Sequence, residues 1–132
     1  MKPVVLDTSI WVNWLRGKDS DLRTRYNDRV IYIPTPVVLE LFSGAHDIRT
    51  HKLIHSLVDS FNRHHRILLP SVSDLQKAGE TIAHLKWSAT RQQGDALIAV
   101  LARKIGAELV TLNLKDFAPL ARYLKLDLYS KS

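Results

Sequence analysis

Four carboxylates stand in apolar stretches of the sequence, where a charge has no obvious role in packing. Asp7 ends the apolar run "VVLD", and Glu40 interrupts "VVLELF". Asp95 begins "DALIAVLA", and Asp116 follows an apolar run in "TLNLKDF". Most other acidic residues lie in polar segments, which are typical of a solvated surface. The sequence therefore marks these four residues as candidate catalytic groups.

A cluster of carboxylates has a definite electrostatic requirement. Two carboxylates ~4 Å apart repel each other by roughly 4 kcal/mol at an effective dielectric constant near 20. Several together must therefore take up protons or hold a cation. The chain contains no cysteine, and oxygen ligands alone suit Mg²⁺ or Mn²⁺ rather than zinc. Such an ion polarises a phosphoryl oxygen and activates a water, which suggests hydrolysis of a phosphodiester.

The elements that must position these residues alternate between strands and helices. Apolar runs predict strands at residues 4–6, 30–33, 67–70 and 108–112, with a possible fifth at 125–130. Helical spacing predicts helices at 10–16, 36–45 (capped by Thr35), 47–64 and 94–106, with another capped by Ser73 and Asp74. Uninterrupted apolar strands are typical of a parallel sheet that helices cover on both faces. We predict an α/β fold, a three-layer sandwich with a mainly parallel sheet of four or five strands, as a single domain spanning residues 1–132.

This fold would bring the four carboxylates to one edge of the sheet. Ligands of open parallel sheets bind outside the carboxyl ends of the strands. Asp7 follows the first strand, Glu40 lies one turn into the helix after the second, and Asp116 follows the fourth. Asp95 opens the helix that runs back toward the start of the fourth strand. If the strands are parallel neighbours, the four side chains converge.

Each carboxylate also has an ordinary structural interpretation. Asp7 could cap the helix that begins near residue 10, and Glu40 could pair with an arginine or a lysine. Asp95 could sit favourably at a helix N-terminus, and Asp116 could be an exposed loop residue. Taken singly, Asp95 and Asp116 favour the structural interpretation, and Asp7 and Glu40 leave both interpretations open. Taken together, one shared site replaces four separate explanations.

Composition and charge narrow the class of protein. The 132 residues carry a net charge of +6 with a pI near 9.8, which favours polyanionic partners such as nucleic acid. Apolar residues make up 45% and charged residues 24%, a balance typical of a globular protein. The run before Asp7 is too short for a signal peptide, and no apolar stretch approaches the roughly 18 residues of a membrane span. We therefore expect a cytoplasmic protein.

Three segments, in this order and spacing, resemble PIN-domain ribonucleases, and within them the VapC-type toxins of toxin–antitoxin pairs. They are "VVLDTSIWV" around Asp7, "PTPVVLELFSG" around Glu40 and "GDALIAVLARKIGAELVTLNLKDF" around Asp95 and Asp116. The last is the most specific, and the resemblance covers nearly the whole chain. It implies an Mg²⁺- or Mn²⁺-dependent endoribonuclease that cleaves RNA, usually as a homodimer, and that a cognate antitoxin silences.

The resemblance also implies roles for single residues. Family positions that bind or orient the metal match Asp7, Glu40 and Asp95. Family members often carry Asp where this chain has Asn113, so either Asn113 or the later Asp116 fills the fourth position. We take Asp7, Asp95 and Asp116 as the metal ligands.

Further family positions lie beside the site or flank its motifs. Ser9, Thr111 and Asn113 match residues next to the metal position. Four cations flank the motifs and are weaker candidates for contacts with RNA phosphates: Arg16, Lys18, Arg91 and Lys115.

Two other classes of function compete with this interpretation. One is an Mg²⁺-dependent phosphatase or phospho-acceptor domain, in which Asp7 would be phosphorylated, although phosphatases usually carry a second Asp where this chain has Ser9. The other is a non-catalytic module that binds RNA or a protein, which the uncharged Asn113 would suit.

Overall fold

Strands and helices alternate through the part of the chain that the structure describes. The computed structural model describes residues 2–87 and 89–130, without the side chains of residues 89–91 and 130. The elements are β1 (Pro3–Leu6), α1 (Thr8–Leu15), α2 (Leu22–Arg25), β2 (Val30–Pro34), α3 (Thr35–Ser43), α4 (Ile48–Arg63), β3 (Ile67–Leu68), α5 (Val72–His84), α6 (Ala89–Lys104), β4 (Glu108–Thr111), α7 (Leu114–Leu124) and β5 (Asp127–Ser130).

The five strands form one parallel sheet in the order β3-β2-β1-β4-β5. In the central strand, Val5 pairs with Tyr32 of β2 on one side and with Leu109 of β4 on the other. The side chains of β1 point alternately to the two faces of the sheet, yet Val4, Val5 and Leu6 are all fully buried. Helices therefore cover both faces, and the predicted α/β fold is confirmed.

Two predicted helix caps are wrong by one or two positions. Pro34 occupies the cap position of α3, so Thr35 is already helical. Ser71, not Ser73, caps α5, because Ser71 and Asp74 exchange hydrogen bonds between side chain and backbone. This reciprocal arrangement satisfies two backbone N–H groups at once, which fixes the start of the helix.

The sequence also misjudged two elements at the carboxylate edge. Helix α6 begins at Ala89 rather than at residue 94, so Asp95 lies in its second turn and not at its N-terminus. Helix α7 had not been predicted, and it places Asp116 in its first turn rather than in a loop. Phe117, Leu120 and Leu124 of α7 are buried at helical spacing.

The hydrophobic core joins the sheet to these helices. Trp11 of α1 and Phe117 of α7 are its largest fully buried side chains. Helix α6 packs along α5 and also contacts α3 and α7. Among the residues described, none of the helices combines the length and apolar character needed to span a membrane.

Candidate active site

Asp7 lies at the carboxyl end of β1, the central strand, and is only 3% exposed. It is the N-cap of α1, which begins at Thr8 rather than near residue 10, and its Oδ1 atom accepts the Ile10 N–H at 3.3 Å. The capping interpretation is therefore correct. Capping uses only one of the hydrogen bonds that Asp7 accepts, because two hydroxyl groups also donate to its carboxylate.

The Ser9 hydroxyl donates to Asp7 Oδ1 at 2.5 Å, and the Thr111 hydroxyl donates to Oδ2 at 2.6 Å. Both hydroxyl oxygens in turn accept backbone N–H groups, from Leu112 at 3.2 Å and from Asn113 at 2.8 Å respectively. Each hydroxyl has one proton to donate, and these contacts aim it at Asp7. The loop after β4 thus fixes the orientation of the Asp7 carboxylate.

Burial and hydrogen bonding have opposite effects on the pKa of Asp7. Removal from water raises the pKa of this carboxyl, and the hydrogen bonds from Ser9 and Thr111 offset only part of the rise. A buried carboxylate of this kind is stabilised when a cation comes within a few ångströms of it.

Glu40 lies in the second turn of α3 and faces α6. Much of its side chain is exposed, but partial burial of the carboxyl raises its pKa, with a smaller contribution from the charge on Asp7. The Thr8 hydroxyl is close enough to lower that pKa. It does not form a hydrogen bond of normal geometry with Glu40, and its buried oxygen has no other partner in the described part of the chain.

Gly94 lets α3 and α6 approach each other closely at Glu40. A Cβ atom at Gly94 would lie 3.2 Å from Glu40 Oε1, a tighter contact than side chains normally make. The glycine that had been interpreted as the start of a helix therefore lies inside it, and it leaves room for the carboxylate beside Asp95.

Asp95 joins the four carboxylates into one electrostatic unit. Its pKa is raised to about 6, first by burial and then by the negative charges of Glu40, Asp116 and Asp7. Asp116 itself is exposed at the start of α7. Because Asp95 is not at a helix N-terminus, the helix dipole does not explain its position.

Cations pair with acidic residues elsewhere in the structure but not here. Asp74 pairs with Lys104 and Asp19 with Arg25. Among the described residues, no arginine, lysine or histidine forms an ion pair with any of the four clustered carboxylates. The interpretation of Glu40 as half of such a pair therefore finds no support within residues 2–87 and 89–130.

The donor set suits a hard divalent cation. It consists of oxygen atoms from carboxylates and hydroxyls, it carries uncompensated negative charge, and the chain has no cysteine. Within the described residues, no three acidic or histidine side chains already converge as ligands of one ion.

The candidate phosphate-binding cations do not all lie at this edge. Lys115 is exposed and lines a pocket together with Asp95 and Asp116. Arg16 and Lys18 follow the far end of α1, roughly 12 Å of helix away from Asp7. The structure therefore does not bring these two to the carboxylates, because α1 runs away from the edge at which it starts. The side chain of Arg91 lies outside the described residues.

The sequence had not identified the other walls of that pocket. The cavity has a volume of about 290 Å³, and its lining residues are Trp87, Gln92, Asp95, Lys115, Asp116 and Pro119. Gln92 lies three residues before Asp95, so a helix assigned from residue 89 would have placed both on one face.

Comparison with known proteins gives consistent matches. A family model described as PIN domain matches residues 4–122. VapC ribonuclease Mb1587 of Mycobacterium bovis and Ribonuclease VapC11 of Mycobacterium tuberculosis H37Rv are each 30% identical over 136 aligned residues, with 93% of this chain and 95% of the relative covered. DNA-bound VapBC from Salmonella typhimurium matches with a TM-score of 0.71 and 23% identity, covering 98% of both chains. VapBC2 from Rickettsia felis, bound to a promoter DNA fragment, gives 0.69 and 24%, covering 98% of this chain and 99% of that one.

Proposed function

The chain belongs to the PIN domain family, and on that premise we propose that it is a divalent-metal-dependent endoribonuclease, the toxin of a toxin–antitoxin pair. Asp7, Glu40, Asp95 and Asp116 are its catalytic carboxylates. The observation that carries this proposal is geometric: Glu40 lies against Gly94, the residue before Asp95, and Asp95 shares a pocket with Asp116. The negative charges of the other three carboxylates accordingly raise the pKa of Asp95. Side chains distant in sequence thereby place uncompensated negative charge at one edge of the sheet.

Asp7, Asp95 and Asp116 would hold Mg²⁺ or Mn²⁺, and Glu40 would orient the ion or its water. When bound, the ion polarises a phosphoryl oxygen and lowers the pKa of a coordinated water. The protein contributes a fixed carboxylate at Asp7, which Ser9 and Thr111 hold from both sides. Hydrogen-bonding partners of this kind commonly change metal affinity or activity by about 10- to 100-fold.

RNA would approach the edge from the side of Lys115. Lys115 is exposed and lines the pocket next to Asp95 and Asp116, so its side chain can contact a phosphate at that edge. The net charge of +6 favours this approach of a polyanion over longer distances. We place the reaction in the cytoplasm, and we treat residues 1–132 as one domain.

A phosphatase or phospho-acceptor function is less well supported. Both oxygens of Asp7 already accept hydroxyl protons, which lowers their capacity to attack phosphorus. Ser9, where phosphatases usually carry a second Asp, is one of these donors. A non-catalytic module is also less well supported. Such a module would gain nothing from four carboxylates that repel one another when they are ionised.

We propose two protein partners, a cognate antitoxin and a second copy of the chain. The similarity to the toxin chains of VapBC structures supports the antitoxin. An exposed apolar groove supports the binding of a protein partner. A groove of about 460 Å³ between α3, α5 and α6 has a mostly apolar lining, which includes Pro36, Leu39, Leu75 and Leu97. Leu39 is 74% exposed and Leu75 is 52% exposed, and large exposed apolar surface is typical of protein interfaces.

The decisive experiment is incubation of purified protein, freed of any antitoxin, with RNA and Mg²⁺ or Mn²⁺. We expect endonucleolytic fragments that EDTA abolishes. Intact RNA in the presence of both metals would overturn the proposed activity.

A further inference from the structure

A second pocket, here called the basic pocket, lies at the edge of the sheet opposite to the four carboxylates. Its cavity of about 420 Å³ is bounded by the start of α5 and by the ends of α6 and α7, which lead into the amino ends of β4 and β5. Four cations line it: Lys77, Arg103, Lys104 and Lys125. Asp74 is the one acid among its described lining residues, and it already pairs with Lys104 at 2.8 Å. The basic pocket therefore keeps a surplus of positive charge.

The other three cations have no acidic partner. Among the described residues, Lys77, Arg103 and Lys125 form no ion pair. Helix dipoles favour cations at helix C-termini, which accounts for Arg103 and Lys125 at the ends of α6 and α7. They do not account for Lys77, which lies in the second turn of α5, near the positive end of that helix. Like charges that three helices bring around one cavity repel one another and favour a bound anion.

Arg103 is already oriented for such a ligand. Its Nε atom donates to the Leu124 carbonyl oxygen at 3.2 Å, which holds the guanidinium group of α6 against α7. Its two terminal nitrogen atoms donate no hydrogen bond within the described residues. A guanidinium group held in this way presents a planar fork of N–H groups, which matches the oxygen atoms of a phosphate.

The surface along α6 and α7 joins the basic pocket to the catalytic edge. Gln92 and Arg103 are eleven positions apart in α6, about three turns, so they lie on one face of the helix. Gln92 and Pro119 line the pocket beside Asp95, whereas Arg103 and Tyr123 line the basic pocket. The helix covers about 12 Å between Asp95 and Arg103. This is the length of about four stacked nucleotides at roughly 3.4 Å each.

We propose that the basic pocket binds backbone phosphates of the RNA, about four nucleotides from the bond that is cleaved. Arg103 binds one phosphate through its fork, and Lys77 and Lys125 neutralise that phosphate and its neighbour. The inference rests on the proposed function, since the RNA that reaches the basic pocket is the strand held at the carboxylates. It assigns an RNA contact to the edge of the sheet that carries none of the catalytic groups.

The test is equilibrium binding of a fluorescein-labelled uridine dodecamer to Asp7→Asn in EDTA, which keeps the RNA intact. Fluorescence anisotropy at several salt concentrations gives a slope of log affinity against log salt, about 0.7 for each phosphate contacted on a single strand. The pocket variant is Lys77→Ala/Lys125→Gly. Because Lys125 has a φ of 56°, glycine removes its charge without straining the backbone. The matched control is Arg49→Ala/Lys52→Ala, which removes two exposed cations from α4.

We expect the pocket variant to lower the slope by about 1.4, and the affinity in about 0.1 M salt by about 25-fold, because two phosphate contacts are lost. The control should leave the slope unchanged, although it makes the same change in net charge. Arg103→Lys keeps the charge but loses the fork, so it should weaken binding without changing the slope. Circular dichroism checks the fold of each variant.

A second measurement locates the RNA. The chain contains no cysteine, so Ser73→Cys and Ser56→Cys each provide one site for a benzophenone label. Ser73 is exposed and lines the basic pocket, and Ser56 is exposed on α4. Under ultraviolet light, we expect the RNA to crosslink at position 73 and not at position 56.

Equal slopes in the pocket variant and the control, or equal crosslinking at the two positions, would overturn the phosphate site. Calorimetry with inorganic pyrophosphate tests a free anion as the ligand. Pyrophosphate binding that the pocket variant abolishes, with RNA binding unaffected, would also overturn the proposal. Cleavage by the unsubstituted chain is measured separately. Cleavage with an unchanged slope overturns the phosphate site alone, and a lowered slope without cleavage overturns the ribonuclease proposal alone.

Discussion

The Thr111 hydroxyl donates a 2.6 Å hydrogen bond to Asp7 across a separation of 104 positions in the sequence. The same hydroxyl accepts the Asn113 N–H, so its proton has one direction available. The contact links the ends of the neighbouring strands β1 and β4, and it holds a carboxylate that burial alone would turn toward its protonated form. This relationship makes Thr111 the most direct test of how the site is supported.

Thr111→Val should remove the donor and keep the shape of the side chain. We expect a loss of roughly 1–3 kcal/mol in the free energy of unfolding, because a buried carboxylate loses a hydrogen bond, together with weaker Mn²⁺ binding. Thr111→Ser keeps the hydroxyl and should retain most of both properties. Urea denaturation and calorimetric Mn²⁺ titration provide the measurements. If the valine and serine variants agree in both, the hydroxyl has no positioning role.

Asp7→Asn and Asp95→Asn should each abolish RNA cleavage while the fold is kept. The loss should exceed the roughly 10- to 100-fold typical of changes outside the coordination sphere, because a carboxylate that would hold the ion is removed. Gel analysis of RNA fragments measures the rate, and circular dichroism checks the fold. Asp28→Asn is a matched control, since Asp28 is exposed in the loop before β2, at the other edge of the sheet. Equal rates in all three variants would contradict the assignment.

The stability of the metal-free protein should depend on pH through Asp95. Its pKa is raised from 3.8 to about 6 in the folded state, so the folded state binds the proton more tightly than the unfolded state. This contribution to stability is fully present below about pH 4 and is lost as the pH rises through 6. Asp7 and Glu40, whose pKa values are also raised, act in the same direction.

Asp95→Asn removes the contribution of Asp95 to this pH dependence and leaves those of Asp7 and Glu40. At pH 7.5 in EDTA, we expect the variant to be more stable than the unsubstituted chain by about 1 kcal/mol, a value reduced for the partial exposure of the side chain. The difference should disappear near pH 4. Denaturant unfolding across this pH range measures it, with Asp28→Asn as the reference. A variant that is less stable at pH 7.5 would show that Asp95 already has a compensating partner.

Mn²⁺ should stabilise the folded chain, by about 2.7 kcal/mol at 100 times its dissociation constant. The effect should weaken below pH 6, where protonation of Asp95 competes with the ion. Asp116→Asn should lower the affinity, because Asp116 contributes negative charge at Asp95, and Asn113→Asp should raise it. Thermal unfolding with and without EDTA measures these changes. An unchanged affinity in both variants would exclude residues 113 and 116 from the metal site.

The parallel sheet was readable from the sequence for a physical reason. Strands such as β1 are buried on both faces and therefore appear as uninterrupted apolar runs, and parallel order then fixes the edge at which Asp7 lies. Caps and helix starts were harder to predict. Alternative hydroxyls near Ser71 compete for one cap, and only the exchange of hydrogen bonds with Asp74 decides between them.

The start of α6 and the whole of α7 illustrate the remaining limit. The first turn of α6 is polar and lacks a hydrophobic repeat, so the sequence pattern does not indicate that the helix begins at Ala89. Helix α7 has a clear apolar spacing but contains Pro119, a residue that normally ends a helix. The pocket that includes Gln92 depends on both elements, and no local pattern could have indicated it.

Gly94 sets the stability of α6 against the position of the Glu40 carboxylate. Alanine in a helix interior is usually more stable than glycine by roughly 0.5–1 kcal/mol, so selection for stability alone would replace it. The methyl group would lie 3.2 Å from Glu40 Oε1, so the carboxylate would have to shift by a few tenths of an ångström. If Glu40 is the catalytic group that we propose, Gly94→Ala should lower activity more than it changes stability, because the helix gains rigidity while the carboxylate loses its position.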